Sequence, residues 1–155
     1  MSVLRVIGLA LAASLFLTLQ TLAQEKKIKR SDLPPAVERV VAELNQSATI
    51  RGFSEEKENG QILYEAELIV NGHNKDVLMD ANGAVLEIEE QVAVDSLPAV
   101  VRKGLQATAG KGQLLKVETL TKQGKLVAYE AKVMTNGKKS EVQVGPDGKP
   151  LDHEE

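Results

Sequence analysis

Reaction chemistry in this 155-residue chain would have to come from histidine, serine or carboxylate side chains, because cysteine and tryptophan are absent. The missing cysteines exclude disulfides, thiol catalysis, thiolate metal sites and a cysteine-linked lipid anchor. Of the two histidines, His73 lies in the turn-like run Asn71-Gly72-His73-Asn74 and His153 in the acidic tail Asp152-His153-Glu154-Glu155. Neither stands at a spacing that builds a metal site with nearby ligands. Ser31, Ser47, Ser54, Ser96 and Ser140 follow the first apolar segment, and none occupies a Gly-x-Ser-x-Gly elbow. Asp80-Ala81-Asn82-Gly83 has the opening of a calcium loop, but the third oxygen donor before the glycine is missing and a hairpin accounts for the residues. The carboxylate groups Glu55, Glu56 and Glu58, and Glu87, Glu89 and Glu90, read as solvated strand and turn positions. Acid–base work would need a pocket that shifts one pKa, and a thin helix-on-sheet layer offers little depth. No glycine loop could cradle a phosphate. The expectation is therefore no enzyme, no cofactor and no dedicated metal site.

Binding is the stronger class. Aromatic residues make up 3% of the chain, and after residue 23 only Phe53, Tyr64 and Tyr129 remain. Tight interfaces centre on Trp, Tyr or Arg anchors, so this scarcity weighs against a potent aromatic-rich inhibitor. Tyr64 and Tyr129 fall at equivalent inward positions and read as core. Phe53, flanked by Arg51, is the candidate for an exposed anchor.

The elements that must position these residues follow from a near-copy. Gln61–Val70, QILYEAELIV, returns at Lys125–Thr135 as KLVAYEAKVMT, each followed by Asn-Gly. Upstream of each copy stands a Leu-Pro helix start: Leu33-Pro34-Pro35 before the stripe Val37, Val40, Val41 and Leu44, and Leu97-Pro98 before Val100, Val101 and Leu105. The second stripe is poorer, and Gly104 within it should cost about 1 kcal/mol relative to alanine. Strands are predicted over residues 49–56, 62–70, 75–80 and 85–89, then 114–121, 126–134 and 139–144, with a last short strand around Leu151. Asn-Gly and Asp-Gly pairs supply the turns between them. By the period of two, Ile62, Tyr64, Ala66 and Leu68 share a core side with Val77 and Met79, as do Val127, Tyr129, Ala131 and Val133 with Val142 and Val144. The opposite side carries Glu65, Glu67, Asp76, Glu130, Lys132 and Glu141, with Leu63 and Ile69 as apolar exceptions. The predicted fold class is α+β: two tandem repeats, each one helix packed on a four-stranded antiparallel β-meander, with Gln91–Val94 as the joint.

Arg5, the apolar run Val6–Leu19 and Thr21-Leu22-Ala23 form an export-signal pattern with a cut expected after Ala23. The run is shorter than the roughly 20 residues that span a bilayer, although Lys26, Lys27, Lys29 and Arg30 just beyond it oppose translocation. A membrane enters only if this segment is retained. Losing Arg5 with it takes the formal charge from −3 to −4, a balance that argues against nucleic acid as a partner. The expected division is a signal at 1–23, a flexible leader at 24–31, a first repeat at 32–90 and a second with an acidic tail at 91–155.

The order Leu-Pro-x-x-Val, helix, hairpin, Tyr-Glu-Ala, Asn-Gly, and Val-x-Met or Val-x-Val resembles the PepSY-like, beta-lactamase-inhibitor-like repeat of exported bacterial proteins, over Asp32 to Asp152. The resemblance implies an extracytoplasmic, non-enzymatic domain, with protease or beta-lactamase inhibition proposed for relatives. Its matching positions are turn and core positions, so it carries over no site. Two functions stand open. One is a periplasmic or secreted module that meets an exported protein through a face marked by Phe53, Leu63, Glu65, Glu67, Ile69, Leu126, Glu130 and Lys132. The other is a sensor of small molecules or metal ions acting through hairpin tips and acidic segments.

Overall fold

In a computed structural model the described residues are 25–155 apart from 59, 152 and 154. The expected signal therefore lies outside the described residues. The strands are β1 (Lys26–Ile28), β2 (Thr49–Glu58), β3 (Gln61–Val70), β4 (His73–Met79), β5 (Val85–Val92), β6 (Gln113–Lys122), β7 (Lys125–Thr135) and β8 (Lys138–Val144). Helix α1 (Pro35–Leu44) precedes β2 and helix α2 (Ala99–Ala109) precedes β6.

Each helix begins at its prolines, Pro34 as cap and Pro35 at the first turn of α1, Pro98 as cap of α2, where a missing N–H costs nothing. Gly110, at φ 59°, ends α2. Tight hairpins form where the left-handed backbone is available: Asn71-Gly72 at φ 50° and 83°, and Asn136-Gly137 at φ 51° and 79°.

The expected division into two repeats, each a helix on its own four-stranded meander, is corrected by the sheet. All eight strands form one antiparallel sheet in the order β1 to β8. The halves are welded by β5 and β6, where Glu87–Val92 pairs residue for residue with Lys122–Val117. Gln91 and Val92, expected in a joint, are the last residues of β5. Five strands lie before α2 and three after it. The fifth is β1, drawn from the expected flexible leader and paired to β2 through Lys26, Lys27 and Ile28. Near Leu151, among the described residues, only a bridge between Val144 and Pro150 forms in place of the expected last strand. A unit of about 60 residues buries too little surface to stand well alone, and an unpaired β5 would leave a long open edge; continuing the ladder removes both costs.

The register shows that both helices lie on the same side. Val77, Ile88 and Thr121 are aligned across β4, β5 and β6, and Thr119 aligns with Tyr129 on β7. Val37 and Val41 of α1 pack on Phe53, Ala66, Leu68, Val77 and Met79. Val101 and Leu105 of α2 pack on Val117, Tyr129, Ala131, Val133 and Val144. The alternation read from sequence holds at the centres of these clusters and fails at the start of β3, where Ile62 is 49% exposed, and at the start of β7, where a bulge turns Val127, expected in the core, to the other face.

Helix α2 approaches the turn after β8 with no side chain between them. A Cβ on Gly104 would stand 2.0 Å from the Gly148 carbonyl oxygen, and one on Gly148 would stand 2.2 Å from that of Val100.

Candidate functional site

The face without helices collects a carboxylate from every strand between β2 and β8: Glu56, Glu65, Asp76, Glu89, Glu118, Glu130 and Glu141. The strand period puts these side chains on one side, and pairing brings Glu65 beside Ser54 and Leu78, Asp76 beside Glu89, and Glu118 beside Glu130. Bulges at Arg51 in β2, Leu86 in β5, Leu115 in β6 and Val127 in β7 add local bending. The centre of the face is sunken: Leu63 is 4% exposed, Glu118 2% and Ser54 0%, although neither α1 nor α2 covers them. A depression of about 110 Å³ is lined by Glu56, Glu65, Asp76, Leu78, Glu87 and Glu89. A broader one of about 650 Å³ lies over Leu63, Leu78, Leu86 and Val127, rimmed by Glu58, Glu87, Lys122 and Lys125.

Burial and mutual repulsion make Glu56, Glu65, Asp76, Glu87, Glu89 and Glu130 reluctant to ionise. Burial, then the charges of Asp76 and Glu56, push the Glu65 carboxyl up to about 7. Burial, then Glu130 and Glu118, push Glu89 up to about 8. Asp76, Glu56, Glu87 and Glu130 are raised as well, burial leading in each case. Glu65, Asp76 and Glu89 have no ion-pair partner within reach among the described residues.

Two ammonium groups sit where the charge is densest. Lys27 of β1 stands 2.7 Å from Glu25 and also pairs with Glu67. These contacts raise the Lys27 pKa, and its hydrogen bond holds Glu25 below the ordinary carboxylate range. Lys116 pairs with the buried Glu118. Carboxylate oxygens of Glu25, Glu65 and Glu67 lie within 4.8 Å of one another, as do those of Asp76, Glu89 and Glu118. Hard cations take such oxygens, so both triads have the donor type for a metal ion. Asp80 does not join them: its Oδ1 accepts from the Asn82 and Ala84 backbone N–H groups at 2.9 Å, which closes the hairpin as expected.

Ser54 Oγ is buried and makes no hydrogen bond. The Glu25 carboxylate feels the hydroxyl's dipole, yet no donor–acceptor geometry closes between them. An unpaired buried hydroxyl costs on the order of 1 kcal/mol or more. Ser54→Ala should therefore raise stability by about 1 kcal/mol, seen as a higher urea midpoint at unchanged slope; a lower midpoint would show that the hydroxyl does find a partner.

Of the residues expected to form a binding face, Leu63, Glu65, Glu67 and Ile69 on β3 and Glu130 and Lys132 on β7 share the helix-free side. They form its two ends, about 19 Å apart across four strand spacings. Phe53 does not join them. It is 7% exposed and packs in the α1 core, opposite Ala66. Leu126 also turns to the helix side and packs against the α2 core, because the bulge after Leu120 shifts its register. Glu87 and Glu89, read as solvated strand positions, lie in the middle of the trough. Their alternation with Ile88 was a signal for the side they face, but not for its depth. His73 and His153 are exposed, away from the trough's centre.

No family model matches the chain, and no curated protein matches it. Solved structures do. A proposed periplasmic protein of Bacteroides eggerthii aligns at 17% identity and TM-score 0.64, over 77% of this chain and 86% of the other. A DUF2874 family protein of Bacteroides ovatus aligns at 18% identity and TM-score 0.61, over 77% and 85%. A BLIP-like protein of Bacteroides fragilis aligns at 22% identity and TM-score 0.56, over 75% and 81%. Among the described residues no helix is long and apolar enough to cross a membrane. At these identities the likeness is one of fold, and the fold is that of the BLIP-like and DUF2874 structures.

Proposed function

We propose that this chain is an exported, non-enzymatic, PepSY-like binding module that acts in the periplasm by docking a protein partner on its helix-free sheet face. Regulation or inhibition of an extracytoplasmic enzyme such as a protease is the role that reading supports. The observation that carries it is the sunken face itself: a surface spanning β2 to β8, with Leu63 at its floor and Glu65, Asp76 and Glu89 unpaired among the described residues, that none of the described elements covers. Large apolar and charged areas left together in this way mark interaction surfaces. The signal-like first residues and the periplasmic descriptions of proteins with this fold support the compartment. The near-copy of Gln61–Val70 at Lys125–Thr135 supports descent from a doubled unit, now merged into one sheet.

A photo-crosslinking residue at Leu78, on the face, and at Val100, exposed on α2, tests the reading in cells that export the protein. The expected result is a discrete adduct with one exported protein from Leu78 and none from Val100. Equal adducts from both positions, or none from Leu78, would remove it. The sensor reading rests on the carboxylate triad Asp76, Glu89 and Glu118. A ligand of the folded state must raise its melting temperature, so a panel of divalent ions and small ligands that leaves Tm unchanged would remove that alternative.

A further inference from the structure

We propose that the partner presents a lysine or arginine side chain to the trough, seated among Glu65, Asp76 and Glu89 much as Lys27 is seated between Glu25 and Glu67. This rests on the reading that the helix-free face docks a protein, and it assigns the chemistry of that contact.

Three independent observations support it. Firstly, the chain already shows how this face holds an ammonium: Lys27 enters from β1 and is gripped by carboxylates from two sides. Secondly, the next stretch of the same face repeats the donor arrangement without the cation. Glu56, Glu65, Asp76, Glu87 and Glu89 line one small depression, and among the described residues only Glu87 of these forms an ion pair, with Lys122 at 3.7 Å, while Lys116, bound to Glu118, acts on Asp76 from farther off. Burial, and after it the neighbouring negative charges, push the Glu65 and Glu89 carboxyls up to about 7 and about 8. Thirdly, Ser54 Oγ, wholly buried and unbonded, lies directly across from Glu65 on this side, an unpartnered polar atom beside the carboxylates. Acceptors without donors, in a volume that suits one cationic head group, call for a charge-assisted donor brought from outside. A lysine or arginine fits because Leu63 and Leu78 beside the carboxylates offer apolar surface to its methylene stem.

Titration calorimetry with a hexalysine and a hexaarginine peptide tests this on the mature chain. Saturable binding is expected, weakened about tenfold or more by the double change Glu65→Gln, Glu89→Gln, which removes two charge-assisted contacts. Glu43→Gln, on the exposed side of α1, should leave affinity unchanged. Absence of binding, equal weakening by Glu43→Gln, or tight magnesium or calcium binding that excludes both peptides would overturn the proposal. The crosslink from Leu78 separates the two claims. If it forms but the double variant leaves its yield undiminished, the charge assignment falls and the docking face stands. If it does not form at all, the docking face falls as well.

Discussion

Gly104→Ala should lower the stability of the protein by about 3 kcal/mol, a fall of roughly 10 °C in Tm for a domain of this size. Helix propensity alone gives the opposite sign, since alanine in a helix interior is favoured over glycine by about 1 kcal/mol. Packing decides the matter. The added methyl would stand 2.0 Å from the Gly148 carbonyl oxygen and 2.8 Å from its carbon. Those atoms belong to backbone that cannot rotate away, and the turn is pinned by Gly148 N–H donating to the Gly145 carbonyl at 2.8 Å and by Gly145 N–H donating to that of Lys149 at 2.8 Å. Relief requires α2 to lift from β8, loosening Val101 and Leu105 from Val144. Thermal melts of Gly104→Ala beside Gln106→Ala, an exposed position on the same helix, check this; a gain at both positions would show that the close approach is not maintained in solution.

Glu89→Gln should stabilise the protein at pH 9 by on the order of 2 kcal/mol, after allowing for the solvent its carboxyl still sees, and change little at pH 4. The sign follows from linkage. Folding raises the Glu89 pKa from its ordinary 4.5 to about 8, so between those values the folded state binds more protons than the unfolded one. Stability from this group is therefore fully present below pH 4.5, falls as pH rises, and stays low above pH 8. Glutamine keeps the shape and never ionises. The groups that face Glu89 are Asp76 on β4, Glu87 on β5, Glu118 on β6 and Glu130 on β7, and Asp76, Glu87 and Glu130 are raised like Glu89 itself, so the wild-type protein should also lose stability from pH 5 to pH 8. Urea titrations at both ends measure the difference. A gain of equal size at pH 4 and pH 9 would mean that the side chain's charge is not what costs.

Much of the local structure was legible because its causes are local. Pro34-Pro35 and Pro98 fix helix starts by φ alone, and Asn71-Gly72 and Asn136-Gly137 fix hairpins by the left-handed angles they permit. Alternation in Gln61–Val70 gave the side faced by Glu65 and Leu68. What escaped was non-local. Lys26-Lys27-Ile28 has neither the length nor the β-branched content of a strand, and becomes one only because β2 offers an open edge. Pairing of β5 with β6 joins segments separated by a whole helix. Phe53 looked exposed beside Arg51, yet its place opposite Ala66 puts it under α1. The trough escaped for the same reason. Period two tells that Glu89 points away from the helices, while its depth and its pKa come from Asp76, Glu118 and Glu130, which only the sheet order brings near.

An open ladder of eight strands ends in two unsatisfied rows of backbone donors and acceptors, and such rows invite another chain to zip on. Among the described residues the outermost strands are β1, short and carrying Lys26 and Lys27, and β8, which begins with Lys138 and Lys139. Antiparallel docking of like border on like border would bring lysines against lysines, which charge repulsion opposes. Side-by-side polymerisation is thus discouraged at the flanks.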